Sequence, residues 1–127
     1  MPVIDAVAVA TTDMGRAVAF YTAVGFDFTG VDVAQDHVEP VTKPGEVRLM
    51  IDSAALISSI LGYAARPASH SSFALLCEDA AEVNAIAARV ARAGFTVEKA
   101  PWDAFWGQRY AVVKDPDGYL VDLFAPL

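Results

Sequence analysis

An internal repeat constrains this chain more than any other feature. Residues 6–26 read AVAVATTDMGRAVAFYTAVGF, and residues 72–95 read SFALLCEDAAEVNAIAARVARAGF. Each copy runs from a short apolar strand to an acidic start, then a helical stretch, then small residues followed by Gly-Phe. Such self-similarity marks a duplicated supersecondary unit. Asp13 and Asp79 are the natural helix N-caps, and Gly25 and Gly94 the natural stops, because glycine accepts positive φ without penalty. Met14, Ala17, Val18, Tyr21 and Val24 fall on one helical stripe, as do Val83, Ile86, Ala87 and Val90. Each helix therefore needs a sheet to cover its stripe.

Strand-like runs follow each helix. In the first half they are Phe26–Val33, a less regular piece at Gln35–Pro40, and Val47–Ile51. In the second they are Thr96–Lys99, Arg109–Val113 and Leu120–Phe124. Lys43-Pro44-Gly45 and Asp115-Pro116-Asp117-Gly118 have turn chemistry, with Pro set for the second turn position and Gly for a left-handed exit. Each half reads β-α-β-β-β. The expected organisation is one domain: a first module at 1–52, a linker at 53–69 with a short helix Ala54–Leu61 ended by Gly62 and Pro67, and a second module at 70–127.

Composition sets outer limits. The 127 residues are 55% hydrophobic, enough for one cored domain. Sixteen acids against nine basic residues give a net charge of −7, which argues against a nucleic-acid partner. No apolar run is long enough for a membrane span. The Met-Pro-Val-Ile-Asp start lacks the basic residues of a signal peptide, so the expected location is cytoplasmic. A single cysteine, Cys77, excludes an internal disulfide.

The tandem β-α-β-β-β pattern resembles the vicinal oxygen chelate superfamily, which includes glyoxalase I, extradiol dioxygenases and bleomycin resistance proteins. The pieces that carry the resemblance are Thr12–Tyr21, Val24-Gly25-Phe26, and Trp106–Tyr110 through Asp115-Pro116-Asp117-Gly118 to Asp122-Leu123-Phe124. It implies an α+β fold in which two βαβββ modules form a curved mixed sheet around a cavity. It also implies metal ligands on the first and last strand of each module. Here those positions map to Ala6, Leu49, Ser72 and Asp122, with His70 in reach of the Ser72 position after a two-residue shift. At best His70 and Asp122 can ligate, whereas a divalent catalytic site usually takes three protein ligands. No cofactor is therefore expected, and a divalent metal is the minority alternative.

With Asp122 facing the cavity, alternation turns Ile4, Ala6, Ala8 and Ala10 inward, together with His70, Ser72, Ala74 and Leu76. Val7, Val9, Phe73 and Leu75 face the helices. Trp102, Phe105 and Trp106 fall in the loop before a strand, and Gln108, Tyr110 and Val112 point inward from that strand. Trp102, Trp106, Tyr110 and Asp122 then form an aromatic pocket with one carboxylate, beside His70 and Ser72. Cys77 reads as a packed thiol, His37 as a solvated loop residue, and Arg109 as turned outward toward an acid on a helix.

The expected function is metal-independent binding of a small hydrophobic or aromatic compound, cationic ones included, similar to bleomycin resistance-like sequestration. On this reading the chain is not an enzyme. The alternative is an enzyme of the same superfamily: a glyoxalase-type metal-dependent lyase or dioxygenase using His70 and Asp122, or a metal-free acid/base enzyme using Asp122 and Tyr110. A homodimer is expected, since such cavities are often completed by a second copy.

Overall fold

The computed structural model describes residues 1–66 and 72–127. Side-chain caps fix where the helices begin. The Asp13 carboxylate accepts the Arg16 N–H at the start of α1 (Met14–Val24), and Asp79 accepts the Glu82 N–H at the start of α3 (Ala80–Arg92). Between them, Ser53 caps α2 (Ala54–Leu61) through the Leu56 N–H. Gly25 ends α1 at φ 129°, a backbone conformation that costs a glycine nothing.

The strands are β1 (Ala6–Thr11), β2 (His37–Val38), β3 (Arg48–Ser53), β4 (Ser72–Leu76), β5 (Thr96–Ala104), β6 (Gln108–Lys114) and β7 (Leu120–Pro126). The fold is α+β with two mixed sheets. The second module has the full strand-helix-three-strand order, in a sheet ordered β4-β7-β6-β5 with β4 and β7 parallel. The first module gives a smaller sheet ordered β1-β3-β2, with β1 and β3 parallel.

Two elements differ from the sequence expectation. Residues 26–36 form no strand. Asp27 accepts the Thr29 N–H and hydroxyl, and Asp32 accepts the Ala34 N–H, so side chains take the backbone donors that a strand ladder needs. Phe26, Phe28 and Val31 still pack onto the core. In the second module, β5 does not stop at Lys99 but continues to Ala104. Register shifts between Val97 and Lys99 and between Lys99 and Trp102 absorb the extra residues. Pro101 is tolerated there because β5 is an edge strand.

Alternation divides the second sheet sharply. Ala111, Val113, Val121, Leu123 and Ala125 are fully buried against the helices. Their neighbours Tyr110, Val112, Asp122 and Phe124 are half-buried on the other face. On β4, Phe73 and Leu75 pack on the core while Ser72, Ala74 and Leu76 are exposed. On β1, Val9 is buried and Ala8 exposed, as alternation predicts. Ile4 departs from the expected inner face, lying before β1 and exposed, and Ala10 is buried.

One core spans both modules. α1 packs against α3, and Phe20 meets Phe95 edge to face at 5.4 Å. The Asp115–Gly118 turn fastens the modules. The Asp115 carboxylate accepts the Asp117 and Tyr119 N–H groups at 2.9 Å each and the Tyr21 hydroxyl, from α1, at 2.8 Å. Asp117 accepts the hydroxyls of Thr11 and Thr12 at 2.6 and 2.9 Å, and the Thr12 N–H. Burial pushes the Asp115 carboxyl up, and burial together with the Asp115 charge pushes the Tyr21 phenol up, so the phenol remains the donor.

Tyr21→Phe removes that donor from a buried carboxylate while keeping the ring. Such a loss costs about 1–3 kcal/mol. In urea unfolding the midpoint should fall with the slope unchanged; an unchanged midpoint would show that the turn does not fasten the modules.

Candidate functional site

The open face of the second sheet is built in lateral rows. Trp102 on β5 pairs with Tyr110 on β6, Tyr110 with Phe124 on β7, and Phe124 with Leu76 on β4. Directly paired residues share a face, so the register alone lays four large side chains side by side. The Trp102 and Tyr110 rings lie 5.4 Å apart, and Tyr110 stacks on Phe124 at 6.0 Å. Trp106 comes from the tight turn between β5 and β6. Its ring stands edge-on, 6.1 Å from Trp102 and 5.5 Å from Tyr110. Its indole N–H donates to the Gln108 side-chain oxygen at 2.8 Å, which fixes the ring's orientation.

The carboxylate sits beside this row. The Tyr110 hydroxyl donates to Asp122 Oδ2 at 2.5 Å. Burial, followed by the hydrogen bond and charge of Asp122, pushes the Tyr110 phenol up to about 12. At neutral pH it stays protonated and donates. Aromatic faces rimmed by one carboxylate suit flat, partly apolar molecules.

The structure thus brings Trp102, Trp106, Tyr110 and Asp122 together. Trp102 does so from a strand rather than from a loop, which is why its ring is held in register with Tyr110. Ser72 shares the face but pairs with Leu120, one row beyond Asp122. His70 lies outside the described residues. Sequence reasoning missed Phe124 and Lys99. Phe124 follows Asp122 by two residues, so alternation pointed to it. Lys99 stands with its ammonium 4.2 Å above the Trp102 ring, brought there by register shifts that no periodicity announces.

The described residues do not by themselves make a divalent metal site. In the first module Leu49 is in the core, and the residue equivalent to Asp122 is Met50, because Met50 pairs with Ala8 as Asp122 pairs with Ala74. The longer first-module turn shifts that register by one residue. In the second module Asp122 has Ala74 beside it and Ser72 one row away, and it already receives a phenol; in the first module the matching positions are Ala6, Ala8 and Met50, none of which can ligate. Among the described residues, no group of three or more His, Cys, Asp or Glu side chains is placed to hold a metal.

Three other residues are accounted for. Cys77 is buried, and burial pushes its thiol up, which suits a packed group. Arg109 turns toward α3, where it donates to Asn84 at 3.0 Å and also to Asp103 on β5 at 3.1 Å. His37 is exposed, as expected, but it is a paired strand residue and not a free loop residue. It lies on β2 with its ring between Asp52 at 2.5 Å and Glu39 at 2.7 Å, and Glu39 also pairs with Arg48. A separate cleft of about 730 Å³ runs between the free edge of β4 and the first module, past Phe26, Val47, Glu82 and Arg89. It meets the aromatic face only at Ala74 and Leu76.

The hydrogen bonds from His37 to Glu39 and then to Asp52 raise its pKa above the ordinary value. The imidazolium therefore favours the folded state. That contribution is fully present below about pH 6.5 and fades as pH rises through the folded value. The side chain is 43% exposed, so the contribution stays under about 1 kcal/mol. Urea midpoints should separate wild type from His37→Gln more at pH 6 than at pH 9. A gap that is constant or widens with pH would contradict this account.

Comparison with known proteins places the geometry in a family. The family model described as Glyoxalase/Bleomycin resistance protein/Dioxygenase superfamily matches residues 3–123. No curated protein matches the chain. Among solved structures, a glyoxalase-related enzyme from Fulvimarina pelagi is similar with a TM-score of 0.83 at 17% identity, over 98% of this chain and 88% of that one. A glyoxalase/bleomycin resistance protein/dioxygenase from Nocardioides gives 0.74 at 23% identity, over 100% and 85%. A lactoylglutathione lyase from Agrobacterium tumefaciens gives 0.68 at 20%, over 97% and 92%. Identities this low carry the fold alone, and one fold hosts many chemistries.

Proposed function

This chain belongs to the Glyoxalase/Bleomycin resistance protein/Dioxygenase superfamily, and from that premise we propose that it binds a small hydrophobic or aromatic compound, cationic ones included, without a metal and without changing it. One observation carries the reading: Trp102, Trp106, Tyr110 and Phe124 lie against one another on an open sheet face beside Asp122. Large aromatic side chains half-exposed in one patch are costly to leave in water and are suited to stacking on a flat molecule. Asp122 adds a counter-charge for a cation at the rim.

The same proposal takes the protein as a cytoplasmic homodimer that sequesters its ligand, as in antibiotic resistance. No described helix is long and apolar enough to cross a membrane. Support for the dimer comes from α2, which buries no residue and leaves Ile60 and Leu61 exposed, with Tyr63 exposed just after it, and from β1 and β4, which are both edge strands. A second reading rests on the short Tyr110–Asp122 hydrogen bond, since a phenol beside a carboxylate is an acid/base pair in reach of a bound molecule.

Titration with planar aromatic antibiotics should quench tryptophan fluorescence saturably and raise the melting temperature. Trp102→Ala and Trp106→Ala should each lose the response, and the compound should be recovered unchanged by mass spectrometry. No response across a broad aromatic library would overturn the binding reading. Recovery of an altered compound would move the function to the acid/base reading. Stoichiometric nickel, zinc, manganese or iron that disappears in Asp122→Ala would contradict the metal-free claim. Sedimentation should return twice the chain mass, and a monomer would remove the dimer.

A further inference from the structure

Beside the aromatic row lies a second row with a different character. Lys99 on β5 pairs with Val112 on β6, Val112 with Asp122 on β7, and Asp122 with Ala74 on β4. Paired strands run about 4.8 Å apart, so the Lys99 and Asp122 backbones stand about 10 Å apart, separated by one apolar residue. The sheet thus holds one cation and one anion on the same face, at opposite sides of the Tyr110 ring system.

Neither charge is neutralised by the other. Lys99 makes no ion pair among the described residues, and its ammonium rests 4.2 Å over the Trp102 ring. Asp122 receives the Tyr110 hydroxyl on Oδ2, while Oδ1 has no partner among the described residues. A cation parked on an indole face keeps its remaining N–H donors for an outside acceptor. The free carboxylate oxygen likewise keeps its lone pairs for an outside donor. Asp122 is half-buried, so its charge is screened less than one on an open surface.

We propose that this face selects aromatic zwitterions whose opposite charges sit at the two ends of a flat ring system. The ring lies on the row Trp102–Tyr110–Phe124, the anionic group meets Lys99, and the cationic group meets Asp122. The proposal rests on the reading above that this face takes a small aromatic molecule, and it adds the ligand's charge pattern. Lys99 is then the residue that sets specificity: it admits an anion to a surface whose rings and carboxylate would otherwise favour cations alone.

Four naphthalenes of one shape make the test: 6-(aminomethyl)-2-naphthoate, 6-methyl-2-naphthoate, (6-methyl-2-naphthyl)methylamine and (6-methyl-2-naphthyl)methanol. Calorimetry gives each dissociation constant, and the readout within each variant is the ratio of charged to neutral compound. In wild type the zwitterion should bind about three- to tenfold tighter than either singly charged compound, the range expected of a charge-assisted contact on a partly exposed surface. Lys99→Met should erase the advantage of the carboxylate and keep that of the amine. Asp122→Asn should do the reverse. If the ratios in Lys99→Met equal those of wild type while the alcohol still binds, this inference falls and the aromatic reading stands. If no compound binds wild type, both fall. If, in addition, Trp106→Ala halves the sedimenting mass, the face belongs to a second copy of the chain and both readings are overturned.

Discussion

The Asp115 carboxylate holds the two modules in one piece. It accepts two backbone N–H groups of its own turn and, at the same time, the Tyr21 hydroxyl from the first-module helix. Asp117, two residues on, binds Thr11 and Thr12 at the junction of β1 and α1. A turn that only closes a hairpin could be replaced by many sequences. This one closes the β6–β7 hairpin and docks it on the other module. With the hairpin docked, Val113, Val121 and Leu123 are driven into the shared core, and alternation leaves Tyr110, Asp122 and Phe124 on the face that remains open. The candidate site is therefore a consequence of how the core is closed.

The open face is unusual in what it leaves uncovered. Small residues would be the inexpensive choice for a solvent-facing sheet, and β1 and β4 supply them at Ala8 and Ala74. β5, β6 and β7 instead supply Trp102, Tyr110 and Phe124, and the turn adds Trp106. Their mutual edge-on and stacked contacts hold them in place without a ligand, so binding would sacrifice little side-chain freedom. Lys99 and Asp122 then give the patch a direction, with positive potential on one side and negative on the other.

Much of this was legible in the sequence because it follows from short-range rules. The caps Asp13 and Asp79, the stop at Gly62 and the helix Ala54–Leu61 are local chemistry. The two-residue period placed Tyr110 and Asp122 on one face and Val7, Val9, Phe73 and Leu75 on the other. What escaped depended on partners far along the chain or on departures from the period. The apolar run Phe26–Val33 looks like a strand, but Asp27 and Asp32 turn its backbone on itself. The reach of β5 past Pro101 depends on register shifts, so Trp102 and Lys99 could not be placed by counting. Leu49 was one residue off because the first-module turn is longer than the second, which makes Met50 the true counterpart of Asp122. The pairing of His37 escaped because Asp52, its buried partner, lies fifteen residues away on another strand.

The central claim is that both tryptophans of this chain line one small-molecule surface. Two tryptophans give two indole N–H resonances in a nitrogen-15 NMR spectrum, one for Trp102 and one for Trp106. On titration with a planar aromatic ligand, both resonances should move along a single saturation curve, since one bound ring touches both. Two curves with different midpoints, or an indole signal that stays fixed while the other moves, would show that the rings do not share a site and would contradict the account.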